Sequence, residues 1–278
     1  MYGRFDIPMN RVSGISNKAR SRLALLLRKT QGTIATSEAA KILNLSAAEA
    51  AKTMARLAEK GWISRVKRGL YVPVPVESST TEPALQDPWL IAQRLFAPCY
   101  IGGWSAAEYW QLTEQFFQRI VAITTRKQRN REVAMRGVSF LIKTISPDAL
   151  FGTLPVWRGS LRIDVSDSSR TIIDILDDPR LGGGIQHVSD ILAEYLKSDQ
   201  KNTKLLIDYG DRLGNRTVFK RLGFLMSRLA PEDKEFLDAC RKRLSKGYSP
   251  LDPALPKEKI VRAWRLWVPA YWTGKKIA

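Results

Sequence analysis

The stretch TSEAAKILNLSAAEAAKTMARLAEKGWISRVKRGLYVPV, Thr36 to Val74, decides how the rest of this 278-residue chain is read. Its spacing predicts a short helix over Thr36 to Leu43, a turn at Asn44-Leu45 and a longer helix from Ser46 to Lys60. Ser46-Ala47-Ala48-Glu49 is a capping-box sequence, in which the serine side chain takes the amide three residues on and the glutamate reaches back. Ala50, Met54 and Leu57 recur at helical spacing and are expected to face a core, which turns Ala48, Lys52, Ala55 and Arg56 outward. After Gly61, Trp62-Ile63-Ser64 and Leu70-Tyr71-Val72 read as two strands around the basic turn Arg65-Val66-Lys67-Arg68-Gly69. Helix, turn, helix and basic hairpin in that order are the pattern of a winged helix-turn-helix.

Upstream, Ser16 is a candidate cap for a helix running to about Lys29, with Leu23, Leu26 and Leu27 on one face. Arg20, Arg22, Arg28 and Lys29 lie among them. Gly32 is expected to end this helix, and Ile34 to start a short strand. Met1 to Gly14 reads as a polar arm carrying Arg4 and Arg11.

The charge distribution points to a partner. Residues 1–76 carry 14 Lys/Arg against 4 Asp/Glu, a net of +10. Residues 77–199 carry 13 against 15, a net of −2, and residues 200–278 carry 18 against 8, again +10. Two basic ends around a near-neutral middle favour a polyanion, with nucleic acid first. The two cysteines, Cys99 and Cys240, make no disulfide framework and no metal spacing. The amino terminus has no apolar signal region, and no run approaches the roughly 18 apolar residues of a membrane span. A cytoplasmic protein with no membrane partner is therefore expected.

Pro73-Val74-Pro75 and Glu77 to Pro83 read as a linker, so the domains are expected at 1–76 and 84–278. The fold class is α+β: a winged helix-turn-helix, then a larger mixed α/β domain to about residue 200, mostly helical after it. Helices are expected over Pro88 to Leu95, Ser105 to Leu112, Ser168 to Leu176, Ile185 to Leu196, Leu205 to Gly214 and Val218 to Leu229. Strands are expected over Arg119 to Thr125, Val138 to Ile145 and Ser160 to Val165. Trp104, Trp110 and Trp157 read as core, and Trp264, Trp267 and Trp272 as packing of the carboxy-terminal segment.

No catalytic, cofactor or metal site is expected. His187 is the single histidine, so a His-based metal site or proton relay has no second member. Gly182-Gly183-Gly184 lacks the Lys-Ser/Thr of a phosphate-binding loop. A metal-dependent nuclease would want an acidic residue and an Asp/Glu-x-Lys on an apolar strand. Only Asp199-Gln200-Lys201 and Glu232-Asp233-Lys234 have that spacing, and both stand in polar segments. Asp167 reads as a turn before a helix and Asp177-Asp178-Pro179 as a helix stop, rather than as metal ligands with Asp164 and Asp174.

The chain resembles the AbiEi-type antitoxins of bacterial type IV toxin–antitoxin systems. The resemblance is carried by Lys60 to Arg65 with Arg68 to Val72, and by Tyr100-Ile101-Gly102-Gly103-Trp104-Ser105-Ala106-Ala107. Asp164 to Asp167 with Thr171 to Pro179 and Gly182 to Ile185 follow, then Arg212 to Asn215 with Lys220 to Leu225. The resemblance implies an amino-terminal repressor of its own operon that binds inverted repeats. It implies a carboxy-terminal domain that counteracts a nucleotidyltransferase-like toxin, often in phage defence, by a route that need not involve a stable complex. A stand-alone regulator without a toxin is the alternative, and a metal-dependent nuclease the enzyme rival.

On the residues themselves, the expected partner is double-stranded DNA; the inverted-repeat operator, and a homodimer on it, are what the resemblance implies. The helix from Ser46 is expected to enter a major groove, with Lys52 and Arg56 contacting bases or phosphates. Ser46 and Thr53 offer hydroxyls to phosphates, and Arg65, Lys67 and Arg68 form a wing on the backbone or minor groove. Arg20 and Arg22 are expected to add phosphate contacts, and Arg4 and Arg11 to reach a minor groove from the arm.

Overall fold

The structure is a computed structural model that describes residues 14–30, 32–74, 87–135, 138–158 and 161–274. Arg4, Arg11 and the predicted linker from Pro75 on lie outside the described residues, whereas its first two residues are not linker: Pro73 ends a strand and Val74 is buried. The chain divides into two compact units, described separately. One comprises residues 1–95 with 133–139 and 157–162, and the other residues 96–132, 140–156 and 163–278.

The first unit opens with α1 (Asn17–Lys29), β1 (Ile34–Ala35), α2 (Thr36–Leu43), α3 (Ala47–Glu59), β2 (Ile63–Lys67) and β3 (Leu70–Pro73). The strands make an antiparallel sheet in the order β1-β3-β2. Leu23, Leu26, Ile34, Ala39, Met54, Leu57, Ile63 and Tyr71 form one buried cluster. Asn44 makes the turn between α2 and α3 in the left-handed region, at φ 48°, a conformation that asparagine tolerates.

Local signals set the ends of these elements. Ser46 caps α3, and Gly61, at φ 78°, closes it: Trp62 N–H returns to the Leu57 carbonyl and Gly61 N–H to that of Ala58, both at 3.0 Å. That pair of bonds satisfies carbonyls that a helix end leaves orphaned. α1 ends differently from expectation. Its cap is Thr30, whose N–H and hydroxyl both donate to the Leu26 carbonyl at 2.8 Å. The chain leaves Thr30 extended, and Gly32, at φ 69°, instead bends it toward β1. The wing also differs. Arg65, Val66 and Lys67 belong to β2, and the turn is only Arg68-Gly69, with Gly69 at φ 80°. Two strand residues that the basic composition disguised are thus paired rather than looped.

α4 (Pro88–Phe96) follows, and Arg94 Nη1 meets Glu38 Oε1 of α2 at 2.6 Å. A six-stranded sheet has the order β6-β7-β5-β4-β9-β8. Its strands are β4 (Cys99–Ile101), β5 (Arg119–Thr124), β6 (Glu132–Met135), β7 (Val138–Thr144), β8 (Thr153–Arg158) and β9 (Leu161–Ser166). β4 pairs antiparallel with β5 and parallel with β9. The second unit adds helices α5 (Gly103–Tyr109), α6 (Ser168–Asp177), α7 (Ile185–Lys197), α8 (Thr203–Leu213), α9 (Thr217–Leu229) and α10 (Lys234–Arg241).

α6 is the spine of this unit. Ile172, Ile173, Ile175 and Leu176 are fully buried, and so is Arg170 on the same helix. Asp167 caps α6, its Oδ1 accepting the Arg170 N–H at 2.7 Å and its Oδ2 the Tyr209 hydroxyl at 2.7 Å. Asp177 accepts from Lys143 and Asn215, and Asp178 from Arg131 at 2.9 Å, so this carboxylate-rich stretch is spent on helix ends and ion pairs. His187 is tied on both ring nitrogens, to the Gly182 carbonyl at 2.7 Å and the Thr113 hydroxyl at 2.8 Å.

Two expectations are corrected. Trp157 is not core: it is 64% exposed on β8. β8 is an edge strand with none of its six residues buried, and edge position is not revealed by a bare aromatic in the sequence. Trp104 and Trp272 are buried, and Trp110 donates Nε1–H to the Ser166 carbonyl at 2.7 Å. The segment after α10 is not helical either. It forms a small sheet, β10 (Ser249–Pro250), β11 (Lys259–Val261) and β12 (Leu266–Val268), in the order β10-β12-β11. Strands of two or three residues are too short to leave an alternating pattern. Among the described residues no helix is long and apolar enough to cross a membrane.

Candidate nucleic-acid interface

α3 presents a narrow buried stripe and a broad open face. Ala50, Met54 and Leu57 are buried, while Ala47, Ala48, Ala51, Lys52, Ala55 and Arg56 are exposed. The exposed alanines keep that surface low, so neighbouring long cations reach past it. Thr53 is half-buried at its edge.

The start of α3 is closed by its own side chains. Glu49 Oε2 accepts the Ser46 N–H at 3.0 Å and the Ser46 hydroxyl at 2.7 Å, and Ser46 Oγ accepts the Glu49 N–H at 3.3 Å. The Ser46 hydroxyl bond, then the Ser46 backbone bond, hold the Glu49 carboxyl below the usual carboxylate range. The Ser46 hydroxyl proton is thereby engaged within the cap, which leaves the position without a free donor for a phosphate.

Between α1 and α3 runs a groove of about 330 Å³ lined by Ser16, Lys18, Arg22, Thr53, Arg56 and Lys60. Among the described residues no carboxylate lines it. It brings together three residues singled out from the sequence, Arg22, Thr53 and Arg56. It adds two that were missed, Lys18 and Lys60. The signal was present as spacing: Lys18 and Arg22 are four apart on α1, and Arg56 and Lys60 four apart at the end of α3, so each pair stacks on one face. Lys60 Nζ also donates to the Gly14 carbonyl at 3.3 Å. Arg20 is exposed on α1 but lies outside the groove lining.

On β2, Arg65 and Lys67 are exposed while Ser64 and Val66 are buried. The pairing with β3 shifts register between them, and both cations stay exposed on either side of that irregularity. Arg68 is exposed at the turn. The turn is fixed to the helical body: the Gly69 carbonyl accepts the Thr36 N–H at 2.8 Å and the Thr36 hydroxyl at 3.3 Å. The wing cations are therefore carried on a hairpin anchored to the first residue of α2.

Residues 21–74 match the family model described as transcriptional regulator, AbiEi antitoxin. This is the family that the sequence resembles, and the match supports that resemblance over the segment it spans. The AbiEi match takes in most of α1 and all of α2, α3 and the hairpin. Arg22, Lys52, Thr53, Arg56, Arg65, Lys67 and Arg68 fall inside it, and Lys18 and Arg20 just before it. By its description the AbiEi family is one of regulators rather than enzymes, and the match supports a DNA-binding, regulatory role for this module. No curated protein matches the chain. Among the described residues no group of three His, Cys, Asp or Glu is placed to share a metal ion.

Proposed function

We propose that this chain is a sequence-specific DNA-binding repressor of its own operon and the antitoxin of a type IV toxin–antitoxin pair. α3 lies in a major groove, where Lys52 and Arg56 meet base edges or phosphates. Lys18, Arg22, Thr53 and Lys60 grip the adjoining backbone, with Arg20 on the flank. Arg65, Lys67 and Arg68 rest on the backbone or in the minor groove. Two copies occupy the halves of an inverted repeat. The carboxy-terminal residues, 84–278, counteract a nucleotidyltransferase-like toxin.

The observation that carries this reading is the cation-lined groove between α1 and α3, of which Arg22, Thr53, Arg56 and Lys60 lie in the matched segment. A concave cationic surface beside a low, alanine-rich helix face suits a backbone phosphate at the edge of a major groove. Displacement of counterions then supplies much of the affinity. If about six phosphates are neutralised, log Kobs falls against log salt with a slope near −5. A salt titration of promoter-fragment binding by fluorescence anisotropy tests this. An affinity that holds steady from low to high salt would sink the DNA reading. For the antitoxin half, residues 84–278 are co-expressed with the product of the adjacent gene. Growth arrest that persists although the fragment is soluble counts against it. The match ends at residue 74, so it bears on the regulatory half alone.

A further inference from the structure

The turn after α10, Ser245-Lys246-Gly247-Tyr248, has its carbonyls fastened from behind by two cations. Arg265 Nη1 donates to the carbonyls of Leu244, at 3.4 Å, and Ser245, at 2.8 Å. Lys220 Nζ, on a nearly fully buried side chain, donates to the Gly247 carbonyl and, at 3.2 Å, to the Ser249 hydroxyl. The peptide bonds here are trans, and a trans peptide sends its C=O and the next N–H in opposite directions. The N–H groups of Ser245, Lys246 and Tyr248 therefore point away from Arg265 and Lys220. Among the described residues none of those three N–H groups has an acceptor. Successive backbone N–H groups turned outward are a known device for holding anions.

The same turn borders a concavity of about 480 Å³, lined by Asp211, Arg216, Lys242, Arg243, Leu244 and Ser245. Three cations face one carboxylate. That carboxylate is already engaged on both oxygens, Oδ1 by Arg216 at 2.8 Å and Oδ2 by Arg243 at 2.7 Å. The two guanidiniums also flank the Phe219 ring, 5.8 and 5.6 Å from its centre, which limits their freedom. Burial, and then the charge of Arg265, lower the proton affinity of Lys220.

We propose that this concavity is a binding site for a phosphate group with three free oxygens, as in inorganic phosphate or a phosphomonoester. Two guanidiniums, an ammonium, and the hydroxyl and outward N–H of Ser245, the residue through which the turn joins the lining, suit the three free oxygens of such a group better than the two of a diester. The group could be carried by a free nucleotide or by the 5′ end of a nucleic-acid strand. The chemistry is shared, and the lining residues belong to the second unit, with none of them in the surface around α3.

The test is calorimetric titration of the full chain with sodium phosphate at constant ionic strength. The expected result is one saturable site that survives Arg56→Gln. Lys242→Glu and Arg216→Gln should each weaken it by about tenfold or more, since each removes a charge-assisted bond. Lys242 is exposed, so its variant should unfold at the parental temperature. Competition by a 5′-phosphorylated trinucleotide assigns the site to strand ends, and competition by adenosine monophosphate alone assigns it to free nucleotides. Absence of saturable heat, or heat that survives both variants, overturns the proposal. So does equal competition by the 5′-hydroxyl trinucleotide. Loss of promoter binding in Lys242→Glu would place the pocket on the duplex and overturn it too, while a failed salt titration on promoter DNA leaves it standing.

Discussion

Ser46 and Glu49 close on one another through three hydrogen bonds, at 2.7, 3.0 and 3.3 Å, and so set where α3 begins. Moving the start of α3 by one residue would rotate Lys52 and Arg56 by about 100° around its axis. Ser46→Ala should cost about 1 kcal/mol of stability, the usual value of a lost amino-terminal cap. Urea unfolding of the full chain measures it, and an unchanged midpoint would remove this role.

The same box predicts a pH dependence. The Glu49 carboxyl is held low in the folded state by its bonds to Ser46. For an acid with a depressed folded value, the stabilisation is complete above the ordinary carboxylate range and disappears as pH falls through the lowered value. Acidification should therefore destabilise the parent more than Glu49→Gln. Urea midpoints compared from neutral to strongly acid pH check this. Parallel curves would contradict it.

Arg56 belongs both to the exposed face of α3 and to the groove against α1. Arg56→Ala should weaken promoter binding by about 1–3 kcal/mol if it reads a base. Lys60→Ala, a backbone contact in this scheme, should weaken binding evenly across sequences and make the salt slope shallower by about one unit. Gel shifts with promoter and scrambled duplexes separate the two. Equal behaviour of both variants on every duplex would remove the division of labour.

Arg170, Asp174 and Tyr100 form a buried ionic triad in the second unit. Arg170 Nε meets Asp174 Oδ1 at 2.9 Å, and Arg170 Nη2 donates to the Tyr100 hydroxyl at 2.9 Å. Burial pushes the Asp174 carboxyl up, and Arg170 opposes that shift. Arg170→Met leaves the carboxylate stranded and should cost about 3–5 kcal/mol, whereas Arg170→Met with Asp174→Leu should cost less, because no charge is left unpaired. Thermal unfolding of both variants tests the order. A double variant weaker than the single one would show that packing, not charge, governs the site.

Gly223 on α9 is required by a neighbour rather than by backbone conformation. A methyl group built there meets Trp264 Cζ3 at 2.0 Å and Cε3 at 2.5 Å. Gly223→Ala should destabilise by about 1–3 kcal/mol through overpacking. Tryptophan fluorescence should report the displaced ring along with the lower melting temperature. A parental melt with unchanged fluorescence would show that Trp264 moves aside freely.

The amino-terminal module was legible because its signals are local. The Ser46–Glu49 box, the Ala50, Met54, Leu57 stripe, Asn44 and Gly61 act within one or two helical turns, so residue order alone set α2, α3 and the hairpin. Where a signal was ambiguous, geometry chose. Gly32 bends the chain after a Thr30 cap, and Arg65 and Lys67 are strand residues because Gly69 tightens the turn. Folding alone decided what lies together at a distance in the chain. Arg22 and Lys18 meet Arg56 and Lys60 only because α1 packs on the core that α3 also covers. Trp157 stays outside, and Arg265 backs a turn twenty residues earlier, because sheet edges and long-range hydrogen bonds carry no periodic trace. Local capping and periodicity are written in neighbouring residues; charge convergence depends on which buried faces pair, and only the packed chain resolves that.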